Sequence, residues 1–254
     1  MKKRNEPLTP PQSYSIEELK NRLQMLESKG FLPIFGPSRN AAIGESLEIY
    51  LGLKINSSRS ADWGDYELKT TSMGSNSKIS LFNVKWEFQN DYTPVNLVKQ
   101  YGKTHHSKHL NLPVIRLDWE IVHSINPIDD LYINIPVNDG HLTLNYAERQ
   151  ITLAKRATVR KWFKIKFKNL VIVEVKKEKI NDVDGFLIQN AFLYRDTSFE
   201  NLITLIHSQE IKLAFKLMLI QPGTPNEKFN NRGSGFRAPQ SVMSKLYSYK
   251  EKLL

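Results

Sequence analysis

The expected fold follows from one stretch in the first third of the chain, Ala61-Asp62-Trp63-Gly64-Asp65-Tyr66-Glu67-Leu68-Lys69-Thr70. Its second half alternates, which predicts a β-strand with Glu67 and Lys69 on one face and Leu68 on the other. Asp62 approaches the polar face from the turn before the strand. Two carboxylates bind a hard divalent cation, and a lysine beside them stabilises developing phosphate charge or polarises an attacking water. The stretch therefore predicts the chemistry of phosphodiester hydrolysis.

The flanking segments predict a helix before this strand and a second strand after it. Residues 42–53 fit a short buried helix that ends at Gly52, and Glu45 and Glu48 share one of its faces. Residues 78–84 are typical of a strand, and residues 71–77 of a hairpin loop. Taken alone, a Glu-x-Lys pattern is more often a solvated polar face, so the interpretation depends on this context.

Three motifs follow one another along the chain and together carry a family resemblance. They are Ile43-Gly44-Glu45-Ser46-Leu47-Glu48, Asp62 to Thr70, and Gly233-Ser234-Gly235-Phe236-Arg237 with an amphipathic helix after it. In this order they resemble the MvaI/BcnI family of type II restriction endonucleases over most of residues 44–249, with the nicking enzyme MutH as a more distant relative. The resemblance implies a PD-(D/E)XK nuclease fold, α/β or α+β, in which helices flank a mixed central sheet and two lobes form a DNA cleft.

The resemblance also implies roles for individual residues of the central motif. Asp62 and Glu67 would bind the metal ion, and the Leu68 backbone carbonyl would add a ligand. Lys69 would be the catalytic lysine, and Glu48 would assist from outside the metal's own ligands. Asp65 is the alternative to Asp62, because it lies nearer to Glu67 in sequence.

The reaction that the resemblance implies is Mg²⁺-dependent hydrolysis of double-stranded DNA, with Mn²⁺ as a substitute ion. Cleavage would leave 5′-phosphate and 3′-hydroxyl ends at a short GC-containing site of the CC-N-GG kind. The enzyme would act as a monomer, and a companion DNA methyltransferase would protect the host. Two alternatives stay open: a MutH-like enzyme that nicks one strand, and a catalytically silent DNA-binding module.

Charge composition favours a polyanionic partner. The net charge is +10, and residues 149–168 carry eight bases without an acid. Residues 147–162 have the apolar spacing of a helix, so Arg156, Arg160 and Lys161 are expected to contact DNA phosphates. The alternative is a solvated helix face on which the long side chains cover apolar surface.

Two further segments are candidates for DNA contact. Residues 99–109 are predicted to form a basic loop after a helix over residues 94–101, and His105, His106 and Lys108 are its candidate residues. Zinc binding is not favoured there, because no cysteine or acid has the required spacing. The alternative is an exposed loop without a role.

The second segment is a long polar loop over residues 221–233, directly before the Phe-Arg motif. Arginine reads guanine through O6 and N7, and asparagine reads adenine similarly. The resemblance makes Arg237 the first candidate for base recognition, followed by Arg232 and Asn231. For Arg237 the alternative is a structural salt bridge.

Composition limits the class of protein. The 254 residues contain no cysteine, which excludes disulfides, thiolate metal sites and cysteine nucleophiles. The sequence has no run of about 18 apolar residues, so no membrane span is expected. The charged start of the chain lacks the apolar segment of a secretory signal, and the absence of cysteine suits the cytosol, which the resemblance implies is that of a bacterium.

The domain expectation is a single nuclease chain over residues 1–254, with a catalytic lobe and a DNA-recognition lobe interleaved in sequence. The catalytic lobe would be built around residues 15–90 and parts of 165–220, and the recognition lobe around 95–165 and 221–254. A capping box at Ser15 predicts a first helix that ends before Gly30. The expected strands include residues 113–119, 131–135, 141–144, 170–175, 186–194 and 212–220, with helices over 198–208 and 241–252.

Overall fold

The computed structural model describes residues 6–36, 42–54, 61–74, 78–89, 92–108, 110–123, 131–134, 140–146 and 149–254. Within these ranges the chain has a mixed α+β architecture of helices and three sheets. The helices are α1 (Ile16–Lys29), α2 (Ala42–Tyr50), α3 (Pro94–Tyr101), α4 (Arg156–Lys166), α5 (Phe199–His207) and α6 (Met243–Leu246). The strands are β1 (Leu32–Pro33), β2 (Tyr66–Ser72), β3 (Ile79–Asn83), β4 (Glu87–Phe88), β5 (Lys103–Ser107), β6 (Leu112–Ile121), β7 (Leu131–Asn134), β8 (His141–Tyr146), β9 (Arg149–Lys155), β10 (Asn169–Ile180), β11 (Val183–Thr197), β12 (Lys212–Ile220), β13 (Lys228–Asn231), β14 (Gly235–Ala238) and β15 (Tyr247–Lys252).

The chain forms two compact units. The first unit contains Met1–Ile79, Trp162–Ser198 and Met243–Leu254, and the second contains Ser80–Lys161 and Phe199–Val242. Each unit therefore consists of segments that are distant in sequence. The catalytic role expected for one lobe and the DNA-recognition role expected for the other stay predictions.

The first unit is built on a five-stranded sheet with the order β1-β11-β10-β2, and β15 also pairs with β11. Strand β10 begins with an apolar run, Leu170 to Val173, that is completely buried, as expected for an interior strand. Strand β2 runs parallel to β10, with Glu67 opposite Leu170 and Lys69 opposite Ile172. Among the described strands β2 is an edge strand, so the backbone N–H and C=O groups on its outer side can form hydrogen bonds with side chains.

Helix α1 forms where the capping signal predicts it. The Ser15 hydroxyl accepts a hydrogen bond from the Glu18 amide at 3.1 Å, and Gly30 ends the helix with φ 76°. The guanidinium of Arg22, in the middle of the helix, donates to the carbonyls of Thr9 at 2.6 Å and Leu51 at 3.0 Å. Arg22 thereby joins the N-terminal segment to the chain directly after α2, the helix that carries Glu48.

The second unit contains a six-stranded sheet with the order β3-β14-β12-β6-β5, to which β13 adds through β12, and a four-stranded sheet with the order β4-β9-β8-β7. Strand β12 lies inside the larger sheet, and its Leu213, Phe215 and Leu217 are buried on one face. The Phe215 ring stacks on Trp119 of β6 on that side. The opposite face therefore receives Lys212 and Lys216, because side chains alternate along a strand.

The prediction of a helix over residues 147–162 is wrong in its position. Residues 149–155 form β9, which pairs with β8, and α4 begins at Arg156. Ile151, Thr152 and Ala154 are buried in this hairpin. The apolar spacing fitted a helix, but β-branched residues and the pairing partner favour the strand.

The prediction of a closing helix over residues 241–252 is wrong after Leu246. A 3₁₀ turn over Gln240–Val242 and the single-turn helix α6 lead directly into β15, which pairs with β11. Tyr247 is buried, and its hydroxyl donates to the Phe167 carbonyl at 3.0 Å. Pairing with the open edge of β11 satisfies backbone groups that an isolated short helix would leave to water.

Two predicted loops contain strands. The basic segment over residues 99–109 includes β5, which pairs with β6, and the polar segment over residues 221–233 includes β13, which pairs with β12. In both cases the strand lies at the edge of the sheet and its side chains are mostly exposed. Polar composition therefore predicted the exposure correctly and the backbone conformation wrongly.

The helices in the described ranges are all too short or too polar to cross a membrane.

Candidate active site

The turn before β2 is fixed by its backbone and by Trp63. The amide and carbonyl groups of Trp63 and Tyr66 exchange two hydrogen bonds of 2.9 and 2.8 Å, and Gly64 adopts a positive φ of 57° within the turn. The Trp63 ring is completely buried, and its indole N–H donates to the Ser15 carbonyl at 2.9 Å. The turn is thus tied to the start of α1.

Asp62 folds back along the strand that follows. Its Oδ2 accepts a hydrogen bond from the Leu68 amide at 3.0 Å. In an extended strand the N–H and C=O of one residue point to the same side, so the Leu68 carbonyl faces the edge on which Asp62 lies. Asp62 also raises the pKa of Glu67, which means that the two carboxylates are close enough to repel one another.

Glu67 is a completely buried carboxylate with unequal oxygens. Oε1 contacts the ammonium of Lys69 and lies 3.3 Å from that of Lys166. Oε2 is buried without a hydrogen-bond partner among the described residues. Burial raises the pKa of Glu67, Lys69 lowers it and Asp62 raises it. A buried carboxylate oxygen without a hydrogen bond lowers the stability of the folded protein, and a bound cation would give this oxygen a partner.

Glu48 approaches the same carboxylates from α2. This helix packs closely on β2, because a Cβ at Gly44 would lie 3.4 Å from the Thr70 hydroxyl oxygen. Burial and the neighbouring Asp62 raise the pKa of Glu48 to about 7. Such a raised value is typical of carboxylates gathered in one functional site.

These residues fit a divalent cation. The unpartnered oxygen of Glu67, the carboxylate of Asp62 and the carbonyl of Leu68 are all hard oxygen donors, the kind that Mg²⁺ and Mn²⁺ prefer. Asp65, the alternative ligand, is exposed and lies 2.8 Å from the ammonium of Lys168. The geometry favours Asp62 over Asp65 as the partner of Glu67.

Lys166 was not recognised as a site residue in the sequence. The predicted helix stopped at Trp162, whereas α4 continues to Lys166 and the chain then enters β10 beside β2. The last turn of α4 therefore ends next to the start of β2. The sequence did contain an indication that Lys166 lies near the sheet. The basic run ends only a few residues before the strand expected at Leu170.

The predicted DNA-contacting residues of β13 and β14 have different environments. Arg237 is half-buried, and burial and the nearby Arg232 lower its pKa. Nη1 of Arg232 contacts both carboxylate oxygens of Asp118, at 3.0 and 3.1 Å. The Asn231 side chain accepts from the amides of Gly233 at 3.0 Å and Ser234 at 3.3 Å, which is the pattern of a turn.

The candidates on β5 and after it are exposed. His105 has an open side chain, Nε2 of His106 lies 3.1 Å from the Asn111 amide oxygen, and Lys108 follows the strand. They lie in the same unit as Arg232 and Arg237. Their positions are compatible with contact to a polyanion.

The candidates on α4 differ in accessibility. Arg156 is only 7% exposed and its guanidinium lies over the Phe199 ring at 5.6 Å. Arg160 also lies over Phe199, at 5.1 Å, and pairs with Glu200 at 3.2 Å, whereas Lys161 is exposed. The low exposure of Arg156 favours a role in packing, and its contact with DNA stays a prediction.

The α+β fold and the group of carboxylates and lysines on β2 are those expected of a restriction-type deoxyribonuclease. The chain matches the MvaI/BcnI restriction endonuclease family over residues 20–247, and it therefore belongs to that family of type II site-specific deoxyribonucleases. No match is found among curated proteins.

Two solved structures have a similar fold. One is a restriction endonuclease MvaI–cognate DNA substrate complex, with 17% identity, 94% of this chain and 99% of the other covered, and a TM-score of 0.77. The other is restriction endonuclease MvaI in the absence of DNA, with 14% identity, 97% and 100% covered, and a TM-score of 0.51. These similarities confirm the expected α+β restriction-endonuclease fold.

Proposed function

We propose that this restriction endonuclease hydrolyses double-stranded DNA in a Mg²⁺-dependent reaction at the β2 edge. The observation that carries the proposal is the completely buried Glu67 carboxylate, with one oxygen on two lysines and the other unpartnered among the described residues. Asp62, Glu67 and the Leu68 carbonyl would hold the ion. Mn²⁺ would be an effective substitute, since it accepts the same oxygen donors.

Each residue has a distinct task in this proposal. The bound ion supplies Lewis-acid stabilisation of the phosphate and of the attacking oxygen. The Lys69 ammonium, held against Glu67, orients the attacking water and stabilises negative charge on the phosphate. Water attacks phosphorus and the bond to the 3′ oxygen breaks, which leaves 5′-phosphate and 3′-hydroxyl ends. Glu48 adjusts the charge of the site from α2.

The direct test is incubation of the protein with plasmid and phage DNA, in Mg²⁺ and in EDTA. Discrete fragments that depend on Mg²⁺ are expected, and sequencing their ends gives the target and the cut position. Nicked circles without linear product would instead identify a MutH-like activity. DNA binding without cleavage on unmethylated DNA of varied sequence would identify a silent binding module.

The number of subunits, the DNA target, the companion enzyme and the cellular location are also proposed. We infer a monomer that cuts the two strands in separate events, a short GC-containing target of the CC-N-GG kind, a companion methyltransferase and a bacterial cytoplasmic location. Sedimentation of the protein with and without a target duplex tests the monomer, because a dimer would appear at twice the mass.

Arg237 is proposed as a base-contacting residue, with Arg232, His105, His106, Lys108, Arg160 and Lys161 as supporting contacts to DNA. Arg237→Ala should weaken binding to the target duplex by roughly 1–3 kcal/mol more than binding to unrelated DNA. The half-buried guanidinium of Arg237 makes no ion pair with a described residue, so it can donate to a base without first breaking a contact within the protein. Equal losses on both duplexes, measured by fluorescence anisotropy, would reduce Arg237 to a phosphate or structural contact.

Glu48 should make the stability of the metal-free protein depend on pH. Its pKa is raised to about 7 in the folded state, so the folded protein binds this proton more readily than the unfolded chain. The stabilisation is complete below the ordinary value of 4.5 and is lost as the pH rises through about 7. In EDTA, the melting temperature of the wild type relative to Glu48→Gln should therefore fall across this interval. A constant difference would contradict the assigned environment of Glu48.

A further inference from the structure

One face of the larger sheet in the second unit collects cations that the sequence did not bring together. Lys216 of β12 is the cross-strand partner of Asp118 on β6, and Arg116 is two residues before Asp118 on the same face. Arg237 of β14 pairs with Lys212, four residues before Lys216, and so shares this face. We call four of these residues, Arg116, Asp118, Lys216 and Arg237, the β12 polar face; Lys212 lies on the same side of β12 but its ammonium approaches Glu120, and it is not part of this group.

Three of its cations lack partners. Within the described residues, Arg116, Lys216 and Arg237 make no hydrogen bond or ion pair through their side chains, and Nε of Arg116 is completely buried. The carboxylate opposite Lys216 is already engaged, because Nη1 of Arg232 contacts both oxygens of Asp118. The charge of Asp118 favours the charged forms of Lys216 and Arg237, but partly buried cations beside one another still oppose folding, and a ligand with acceptor groups would offset this cost.

The backbone of Lys216 is fixed within the sheet and by the turn before β14. Its amide donates to the Ser234 hydroxyl at 2.9 Å, and its carbonyl accepts from the Arg232 amide at 3.0 Å. Burial and the nearby Arg237 lower its pKa. A lysine whose backbone is fixed in an interior strand suits a contact that depends on position, whereas phosphate contacts tolerate flexible exposed segments.

We propose that Lys216 is a specificity-determining residue, which recognises the guanine of a G·C pair from the β12 polar face. Its ammonium donates to guanine O6 or N7, and the free lone pairs of Asp118 accept from the amino group of the paired cytosine. Arg116 and Arg237 flank this position and add donors on either side. The proposal rests on the proposed function, because it assumes that the substrate is duplex DNA.

The test uses binding rather than cleavage, so that it does not depend on the active site. The wild-type protein, in EDTA, is used to select preferred sequences from a random duplex library. Lys216→Met is then compared with Lys212→Met, a matched control on the same strand and face whose ammonium lies 3.9 Å from Glu120. Both changes remove one positive charge and keep an unbranched side chain.

Lys216→Met should lower the preference for the selected duplex over a duplex with one G·C pair replaced, by roughly tenfold. The salt dependence of binding should stay that of the wild type, and Lys212→Met should keep the full preference.

Equal losses on all duplexes with a shallower salt dependence would overturn the proposal in favour of a phosphate contact. An unchanged preference, a change at an A·T pair, or no sequence preference in the wild type would also overturn it. A protein that selects a sequence but never cuts it would overturn the proposed nuclease function and leave this inference standing.

Discussion

Glu67→Gln should abolish DNA cleavage, by about 10³-fold or more, while DNA binding in EDTA persists. The change keeps the shape of a completely buried side chain and removes its charge, so the site loses the proposed metal ligand and the partner of two ammonium groups. Binding should stay equal or become tighter, because one negative charge near the phosphates is gone. Single-turnover cleavage and anisotropy measure the two effects separately.

Two controls make this result specific. Asp65→Asn removes an exposed carboxylate from the same segment, one that pairs with Lys168, and should cut at nearly the wild-type rate. Unchanged circular dichroism and melting would show that Glu67→Gln is folded. Full-rate cleavage by folded Glu67→Gln, or inactivity of Asp65→Asn, would place the metal site elsewhere on the segment.

The elements around Glu67 were predictable because their signals are local. The serine cap and the terminal glycine defined α1, and the alternation from Tyr66 to Thr70 defined β2. Helix α2 packs against β2 at Gly44, where a Cβ would be in van der Waals contact with Thr70, and Gly44 is part of the motif that carried the resemblance. Where a few neighbouring residues determine the backbone, the sequence pattern was sufficient.

The errors occurred where the partner of a segment lies far away in the chain. Residues 247–252 form a strand because they pair with the edge of β11, about 50 positions earlier, and nothing within the segment itself indicates that edge. Arg156 has the same basic character as Lys161 in the sequence, and only the structure shows that it is buried beside the Phe199 ring; its contact with DNA stays a prediction. Tertiary contacts of this kind override local propensity and cannot be read from one sequence.

Lys166 illustrates the same limit at the site itself. Its neighbour in space, Glu67, is nearly 100 residues earlier, and the contact exists only because β10 runs parallel to β2 directly after α4. The basic run was interpreted as a surface for phosphate contact, yet its last turn reaches a buried carboxylate. Phosphate contact by the rest of the run stays a prediction, and composition alone did not indicate the contact of Lys166 with Glu67.

Lys69→Met should lower the cleavage rate by roughly 10²–10³-fold, with little change in Mg²⁺ affinity. Methionine keeps much of the side-chain volume but removes the ammonium that contacts Glu67 and that is proposed to stabilise charge in the transition state. The oxygen donors of Asp62, Glu67 and Leu68 remain, so the ion should still bind. Cleavage measured over a range of Mg²⁺ concentrations separates the rate from the metal affinity.

Lys166→Met is the matched comparison, because both ammoniums approach Oε1 of Glu67 and are exposed to a similar extent, 25% and 28%. Lys69 is on the same rigid strand as Glu67, whereas Lys166 is at the end of a helix, so we expect the smaller loss for Lys166→Met. Equal losses would mean that both lysines stabilise the transition state. If Lys69→Met instead raised the Mg²⁺ requirement without lowering the rate at saturation, its role would be to hold Glu67 in place rather than to act on the phosphate.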